Sequence, residues 1–115
     1  MSPNSPAPGT LTISSVVENG TTSLCLEGEL DLASARRMEE SLAEIEGSEP
    51  ARLVVDLTRL AFIDSTGLRL LIQASARARE RGAELVLRPG DASVQKVFEM
   101  TGALDVLSFE DAPGD

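Results

Sequence analysis

The segment that most constrains the fold is a short apolar run, Arg52-Leu53-Val54-Val55-Asp56-Leu57, that leads through Leu60-Ala61-Phe62-Ile63 into Asp64-Ser65-Thr66-Gly67-Leu68. A continuous apolar run too short for a helix suits a strand covered on at least one face and flanked by neighbours. The residues after Asp64 change period. Leu68, Leu71, Ile72 and Ser75 form an inner helical stripe with Ala78 beside them. Arg69, Gln73, Arg77 and Glu80 form the wet stripe, and Leu70 falls at the edge of the polar side. The helix is expected to run to about Arg81 and to stop at Gly82.

The same alternation occurs on both sides of this unit. Asp31 is the expected N-cap of a helix over Ala33 to Glu46, with Ala35, Met38, Leu42 and Ile45 on one face, Gly47 as its stop and Pro50 beyond. Glu84 to Arg88 reads as a strand ended by Pro89-Gly90. Asp91 caps a third helix to about Met100, with Val94, Val97 and Phe98 inward and Gly102 after it. Val106 to Phe109 is expected to form a last short strand. At the front, Leu11–Val17 alternates, Asn19-Gly20 supplies a tight turn, and Thr22–Glu27 returns as a hairpin partner. Strands joined by single helices pair in parallel through right-handed crossovers, whereas the hairpin is antiparallel. The expectation is an α/β domain with a mixed, mostly parallel sheet in the order ββαβαβαβ.

Length of 115 residues fits one domain with one core, placed at residues 10–110 between loose tails at 1–9 and 111–115. No apolar run approaches the roughly 18 residues of a membrane span. The Pro/Ser/Asn-rich start does not read as an export signal. No membrane association and a reducing cytoplasm are therefore expected. A formal net charge of −9 argues against direct nucleic-acid binding. The densest arginine group, Arg69, Arg77, Arg79 and Arg81, is interrupted by Glu80 and has no interleaved aromatic residue.

The residue inventory narrows the chemistry. The chain has no histidine, so every Ser-His and Cys-His nucleophile and every histidine-containing zinc site is excluded. One cysteine, Cys25, allows neither an internal disulfide nor a thiolate cluster, and its place between Leu24 and Leu26 is that of a packed or half-buried thiol. No metal site and no cofactor are expected. What remains is the hydroxyl pair Ser65-Thr66 at a helix start, where orphan N–H groups and the positive end of the dipole suit a phosphate. Plain capping explains Asp64, Ser65 and Thr66 as well. Gly67 is the residue capping does not explain, because inside the first turn it costs about 1 kcal/mol relative to alanine. Its missing side chain leaves space for close approach of another molecule. Two enzyme readings fit these residues less well. Asp-Ser-Thr-Gly is one residue longer than the Asp-Thr/Ser-Gly of aspartic proteases. A carboxylate hydrolase built from Glu29, Asp31 and Asp64 would lack a Trp or Tyr platform for a sugar.

Three landmarks in order, Gly28-Glu29-Leu30-Asp31, then Val54-Val55-Asp56-Leu57 with Phe62-Ile63-Asp64-Ser65-Thr66-Gly67-Leu68, then Phe98-Glu99-Met100-Thr101-Gly102, make the stretch from about Leu11 to Phe109 resemble STAS domains, specifically bacterial anti-sigma factor antagonists. The resemblance implies a single domain with helices packed mainly on one face of the sheet. It implies a binding protein and kinase substrate without catalysis of its own, acting in partner switching of a sigma factor, as in stress response or sporulation. The unphosphorylated antagonist would bind an anti-sigma factor serine kinase of the GHKL type and free the sigma factor. Phosphorylation of Ser65 would end that binding, and a PP2C-type phosphatase would reverse it. Asp64, Thr66, Gly67, Arg69, Leu70, Glu29 and Asp31 are the implied partner-binding residues, on a monomer or weak dimer. Within these roles Asp64 caps the helix and either orients the Ser65 hydroxyl or faces the kinase's nucleotide site, Thr66 supports the cap, and Gly67 leaves room for the kinase. The chain departs from many members by carrying Arg69 where they have a second glycine, and by lacking a helical pattern after Phe109. The alternative within the family is an interaction or scaffold subunit of a sensory, transport or lipid-trafficking complex without a phosphoswitch.

Overall fold

The computed structural model describes residues 10–110, and the expected tails at 1–9 and 111–115 lie outside the described residues. Eight elements follow in chain order: β1 (Leu11–Glu18), β2 (Thr21–Leu30), α1 (Ala35–Gly47), β3 (Arg52–Ile63), α2 (Ser65–Glu80), β4 (Glu84–Arg88), α3 (Ala92–Thr101) and a 3₁₀ turn at Ala103–Asp105. The sheet has the order β1-β2-β3-β4, with β1 antiparallel to β2 and the other two pairings parallel. Asn19 (φ 51°) and Gly20 (φ 82°) both take the left-handed conformation that closes a tight hairpin.

Period-two alternation divides the sheet into two faces. Leu24, Leu26 and Leu30 of β2, Leu53, Val55 and Leu57 of β3, and Leu87 of β4 join one core cluster with Met38 and Leu42 of α1, Leu68, Leu71 and Ala74 of α2, and Val94 and Phe98 of α3. The helices thus share one side of the sheet. The other side carries more polar residues, with Val54 and Val86 buried among them. Cys25 is half-buried there, in a shallow depression lined with Thr12, Ser14, Asp56 and Thr58, with its Sγ 4.0 Å from Asp56 Oδ2.

β3 is twice as long as the apolar run that announces it. Relative to β2 it carries two extra residues, because Cys25 pairs with Asp56 but Glu27 with Arg59, and Gly28 with Leu60 but Glu29 with Phe62. Each bulge shifts the alternation by one residue. The buried positions therefore run Leu53, Val55, Leu57, then Leu60, then Ile63. That phase shift hides the strand from a search for strict alternation. It also brings Ile63 inward just before the turn into α2.

Three boundaries differ from expectation. α1 begins at Ala35, not Ala33, because Asp31 and Ser34 close a turn of their own. The Asp31 amide donates to Ser34 Oγ (3.0 Å), and the Ser34 amide donates to Asp31 Oδ1 (3.1 Å). At the other end Gly47 is still helical, and the left-handed stop falls on Glu49 (φ 48°). The expected strand at Val106–Phe109 does not form: a 3₁₀ turn at Ala103–Asp105 precedes it, Val106 and Leu107 continue as turn and bend, and a single parallel bridge joins Leu87 to Phe109. Phe109 stays anchored by an edge-to-face contact with Phe98, centroids 5.1 Å apart.

The polar face holds a charge ladder. Arg52 meets Glu84 (3.0 Å) and Glu110 (3.6 Å), and Arg88 meets Asp56 (3.2 Å) and Glu110 (3.2 Å). Partial burial pushes the Asp56 carboxyl up, but the Thr58 hydroxyl and amide and the Arg88 guanidinium outweigh it, and its pKa lies below the ordinary value of 3.8. A carboxyl lowered in the folded state adds stability above its unfolded pKa and loses it as pH falls through the folded value. Urea unfolding from pH 6 to pH 2 is expected to show stability falling below about pH 4, where unperturbed carboxylates titrate. In Asp56→Asn the acid limb is expected to be shallower. Equal slopes in the two proteins would remove Asp56 from the acid response.

Candidate functional site

Ser65 is the first residue of α2, and Asp64 is its N-cap in extended conformation (φ −112°, ψ −175°). Asp64 is held from both sides. Its amide donates to the Leu30 carbonyl (3.2 Å), its Oδ1 accepts from the Gly67 amide (3.0 Å), and its Oδ2 accepts from the Leu32 amide (3.3 Å). One carboxylate thus ties the helix start to the loop after β2. The Leu68 amide bonds to the Asp64 carbonyl (3.0 Å). The amides of Ser65 and Thr66 are left without an acceptor among the described residues, so they and the dipole face outward.

The Ser65 side chain is exposed and that of Thr66 half-buried, and neither hydroxyl has a hydrogen-bond partner among the described residues. Two expected roles change here. Asp64 does not orient the Ser65 hydroxyl, because both its oxygens serve backbone amides. Thr66 makes no capping bond. Asp31 sits in the loop after β2 at this same end, its carboxylate engaged with Ser34. Glu29 is half-buried on β2 opposite Phe62. Arg69 is exposed one turn beyond Ser65.

Two residues expected at a partner surface are inside the protein. Leu70 is 7% exposed and belongs to the core cluster, because the buried stripe of α2 is wide enough to include Gly67, Leu68, Leu70 and Leu71. Gly67 is buried too. A Cβ placed on it would lie 2.7 Å from both the Leu30 carbonyl oxygen and Leu30 Cγ, and 3.1 Å from Ile63 Cγ1. The space its hydrogen leaves is filled by the protein's own β2, not by a docking molecule.

In their place the structure presents two apolar side chains that sequence reasoning did not assign to the site. Leu32 is 75% exposed in the loop bonded to Asp64, and Phe62 is 47% exposed at the end of β3. Phe62 had a signal. It is a large apolar residue next to Ile63 in a strand, so only one of the two could face the core. Leu32 had none, because its exposure follows from the Asp31–Ser34 turn that delays α1. The site is therefore an exposed hydroxyl at a helix start capped by Asp64, with exposed Leu32 in the loop that Asp64 holds and exposed Phe62 three residues before Ser65 on β3. Among the described residues no cluster of side chains suits a metal ion. Among the described residues no helix is long and apolar enough to cross a membrane.

Comparison with known proteins agrees with this architecture. The sequence matches the STAS domain family over residues 12–115. It is 33% identical over 88 residues to an anti-sigma-B factor antagonist of Listeria monocytogenes, covering 76% of this chain and 77% of that protein. Among solved structures, an anti-sigma factor antagonist from Mycobacterium paratuberculosis superposes with a TM-score of 0.83 at 20% identity, covering 94% of this chain and 90% of that one. The phosphorylated form of the Bacillus cell fate determinant SpoIIAA superposes with a TM-score of 0.66 at 18% identity, covering 89% and 92%. At those identities the two structures establish the shared fold.

The Gly67 geometry yields a test in which two effects have opposite sign. Helix propensity alone makes Gly67→Ala stabilising by about 1 kcal/mol. Overpacking against a backbone carbonyl, which cannot rotate away, costs about 1–3 kcal/mol. Thermal unfolding followed by circular dichroism is expected to show a lower Tm for Gly67→Ala. A higher Tm would mean that the contact with Leu30 does not govern the helix start.

Proposed function

The chain belongs to the STAS domain family, and from that premise we propose that it is an anti-sigma factor antagonist switched by phosphorylation of Ser65. In this reading the unmodified protein docks on an anti-sigma factor that is itself a serine kinase of the GHKL type, and so releases the sigma factor. The Ser65 oxygen attacks the γ-phosphorus of ATP, the bond to the ADP oxygen breaks, and the hydroxyl proton passes to the kinase or to water. A phosphatase of the PP2C type hydrolyses the ester and restores the antagonist. The protein catalyses neither step, and the setting is the cytoplasm.

The observation that carries this reading is the state of Ser65: exposed, unpartnered among the described residues, and seated where a helix start tolerates an anion. Support comes also from the relatives. The Listeria protein bears the name of an antagonist, and the SpoIIAA fold is one that has been solved phosphorylated. The physics of the switch follows from position. A phosphate adds about −1.5 to −2 charge at pH 7. At a helix N-terminus this does not oppose the fold. It would oppose docking, because a partner covering Ser65 would then have to strip water from a dianion instead of a small hydroxyl. Like charges brought together across an interface cost several kcal/mol, and about 1.4 kcal/mol is already tenfold in affinity.

Incubation with GHKL-type serine kinases and ATP, followed by mass spectrometry, is expected to place one phosphate on Ser65 and none on Ser65→Ala. Ser65→Ala is expected to keep kinase binding. Ser65→Asp is expected to weaken it by about tenfold or more while both variants stay folded by circular dichroism. Equal affinities of the two variants for a kinase that modifies the wild type would rule out the switch.

A further inference from the structure

Arg69 is an exposed cation on α2, one turn beyond Ser65, with no partner among the described residues. Its same-face neighbours along the helix are Ser65, Thr66, Ile72 and Gln73, so no carboxylate stands one turn away in either direction. It is exposed and has no ion pair or hydrogen bond among the described residues. Arg52, Arg59, Arg77 and Arg88 each meet a carboxylate, whereas Arg36 and Arg79, like Arg69, have no partner among the described residues; of these three only Arg69 lies one turn from Ser65 on the same helix face. The nearby carboxylates are engaged elsewhere, Asp64 with the amides of Gly67 and Leu32 and Asp31 with Ser34.

We propose that Arg69 is an intramolecular clamp for a phosphate on Ser65. The inference rests on the reading of Ser65 as a phosphoacceptor. Residues four apart on a helix face have Cβ atoms about 5–6 Å apart, and helical side chains lean toward the N-terminus, which carries the Arg69 guanidinium back over the first turn. An anion preceding a cation by four residues is also the better orientation for such a pair. A guanidinium can hold two phosphate oxygens at once, while the free amides of Ser65 and Thr66 face the same group. Before modification Arg69 is an exposed cation without an ion pair among the described residues. After it, the same residue neutralises part of the added charge. Capture also withdraws the cation nearest Ser65 from the docking face.

The test installs phosphoserine at position 65 during synthesis by genetic code expansion, in the wild-type chain and in Arg69→Gln, so that it does not depend on any kinase. Four proteins are compared: each chain with serine and with phosphoserine. In low salt the phosphorylated wild type is expected to melt higher than phosphorylated Arg69→Gln. High salt should close the gap, since exposed charges are screened there. The two unmodified chains should differ little and independently of salt. In proton–nitrogen spectra one arginine Nε–H resonance is expected to move downfield on phosphorylation, and Arg69→Gln should lack it. Coincident low-salt melting of the two phosphorylated chains, with no shifted arginine resonance, would overturn the clamp. The outcomes separate from those for the switch. A clamp found in a chain that no kinase modifies refutes the switch alone, and kinase modification of Ser65 without the clamp refutes Arg69 alone.

Discussion

The site depends on one close approach, the packing of the first turn of α2 against the end of β2. Gly67 lies against the Leu30 backbone at a distance that admits no Cβ, and the Asp64 amide bonds to the Leu30 carbonyl at 3.2 Å. This contact forms only if β3 arrives in the right phase, and the two bulges opposite β2 set that phase. Remove one bulge and Ile63 would point away from the core while Asp64 pointed into it, since a shift of one residue exchanges the two faces. The exposure of Ser65 is thus a consequence of register.

Asp64 shows how one side chain couples local and tertiary structure. A cap usually satisfies amides of its own helix. Here its second oxygen also accepts from Leu32, a residue distant in sequence, and fixes the loop that carries Leu32 and Asp31 beside the helix start. An anion on Ser65 would meet a helix terminus already held by backbone and by Asp64. Its effect on the fold is therefore small compared with its effect on the surface. The charge ladder of Arg52, Arg88, Asp56 and Glu110 lies on the opposite face of the sheet, so acid sensitivity of stability and chemistry at Ser65 are properties of different parts of the molecule.

Much of this was legible in the sequence. The hairpin turn at Asn19-Gly20, the caps Asp64 and Asp91, and the stop at Gly82 act through local chemistry, and each stands where its residue type requires. What was not legible depends on contacts between distant segments. The role of Gly67 is defined by Leu30, which local spacing does not bring near. Leu70 reads as a flank residue on a helical wheel, but β-sheet and neighbouring helices cover a wider arc of α2 than a single stripe. The strand beyond Leu57 is masked by its bulges, and the strand expected at Val106–Phe109 contracts to one bridge, with Val106 and Leu107 continuing as turn and bend after the 3₁₀ turn. Glu49 takes the left-handed position expected of Gly47, so composition alone misplaces the end of α1.

The surface around Ser65 divides attraction from control. Leu32 and Phe62 leave apolar area in water that folding did not bury, and covering such area is worth about 25 cal/mol per Å². A hydroxyl beside them adds little of its own. In the proposed switch a phosphate on that hydroxyl would have to be stripped of water before a partner covering Ser65 could also cover apolar surface. A small chemical change would then gate a larger hydrophobic gain without contributing to it. That arrangement requires the gate to be exposed, the scaffold beneath it to be indifferent to charge, and the apolar flanks to remain uncovered by the protein itself. Register of β3, the Asp64 cap and the Asp31–Ser34 turn meet these three requirements in that order.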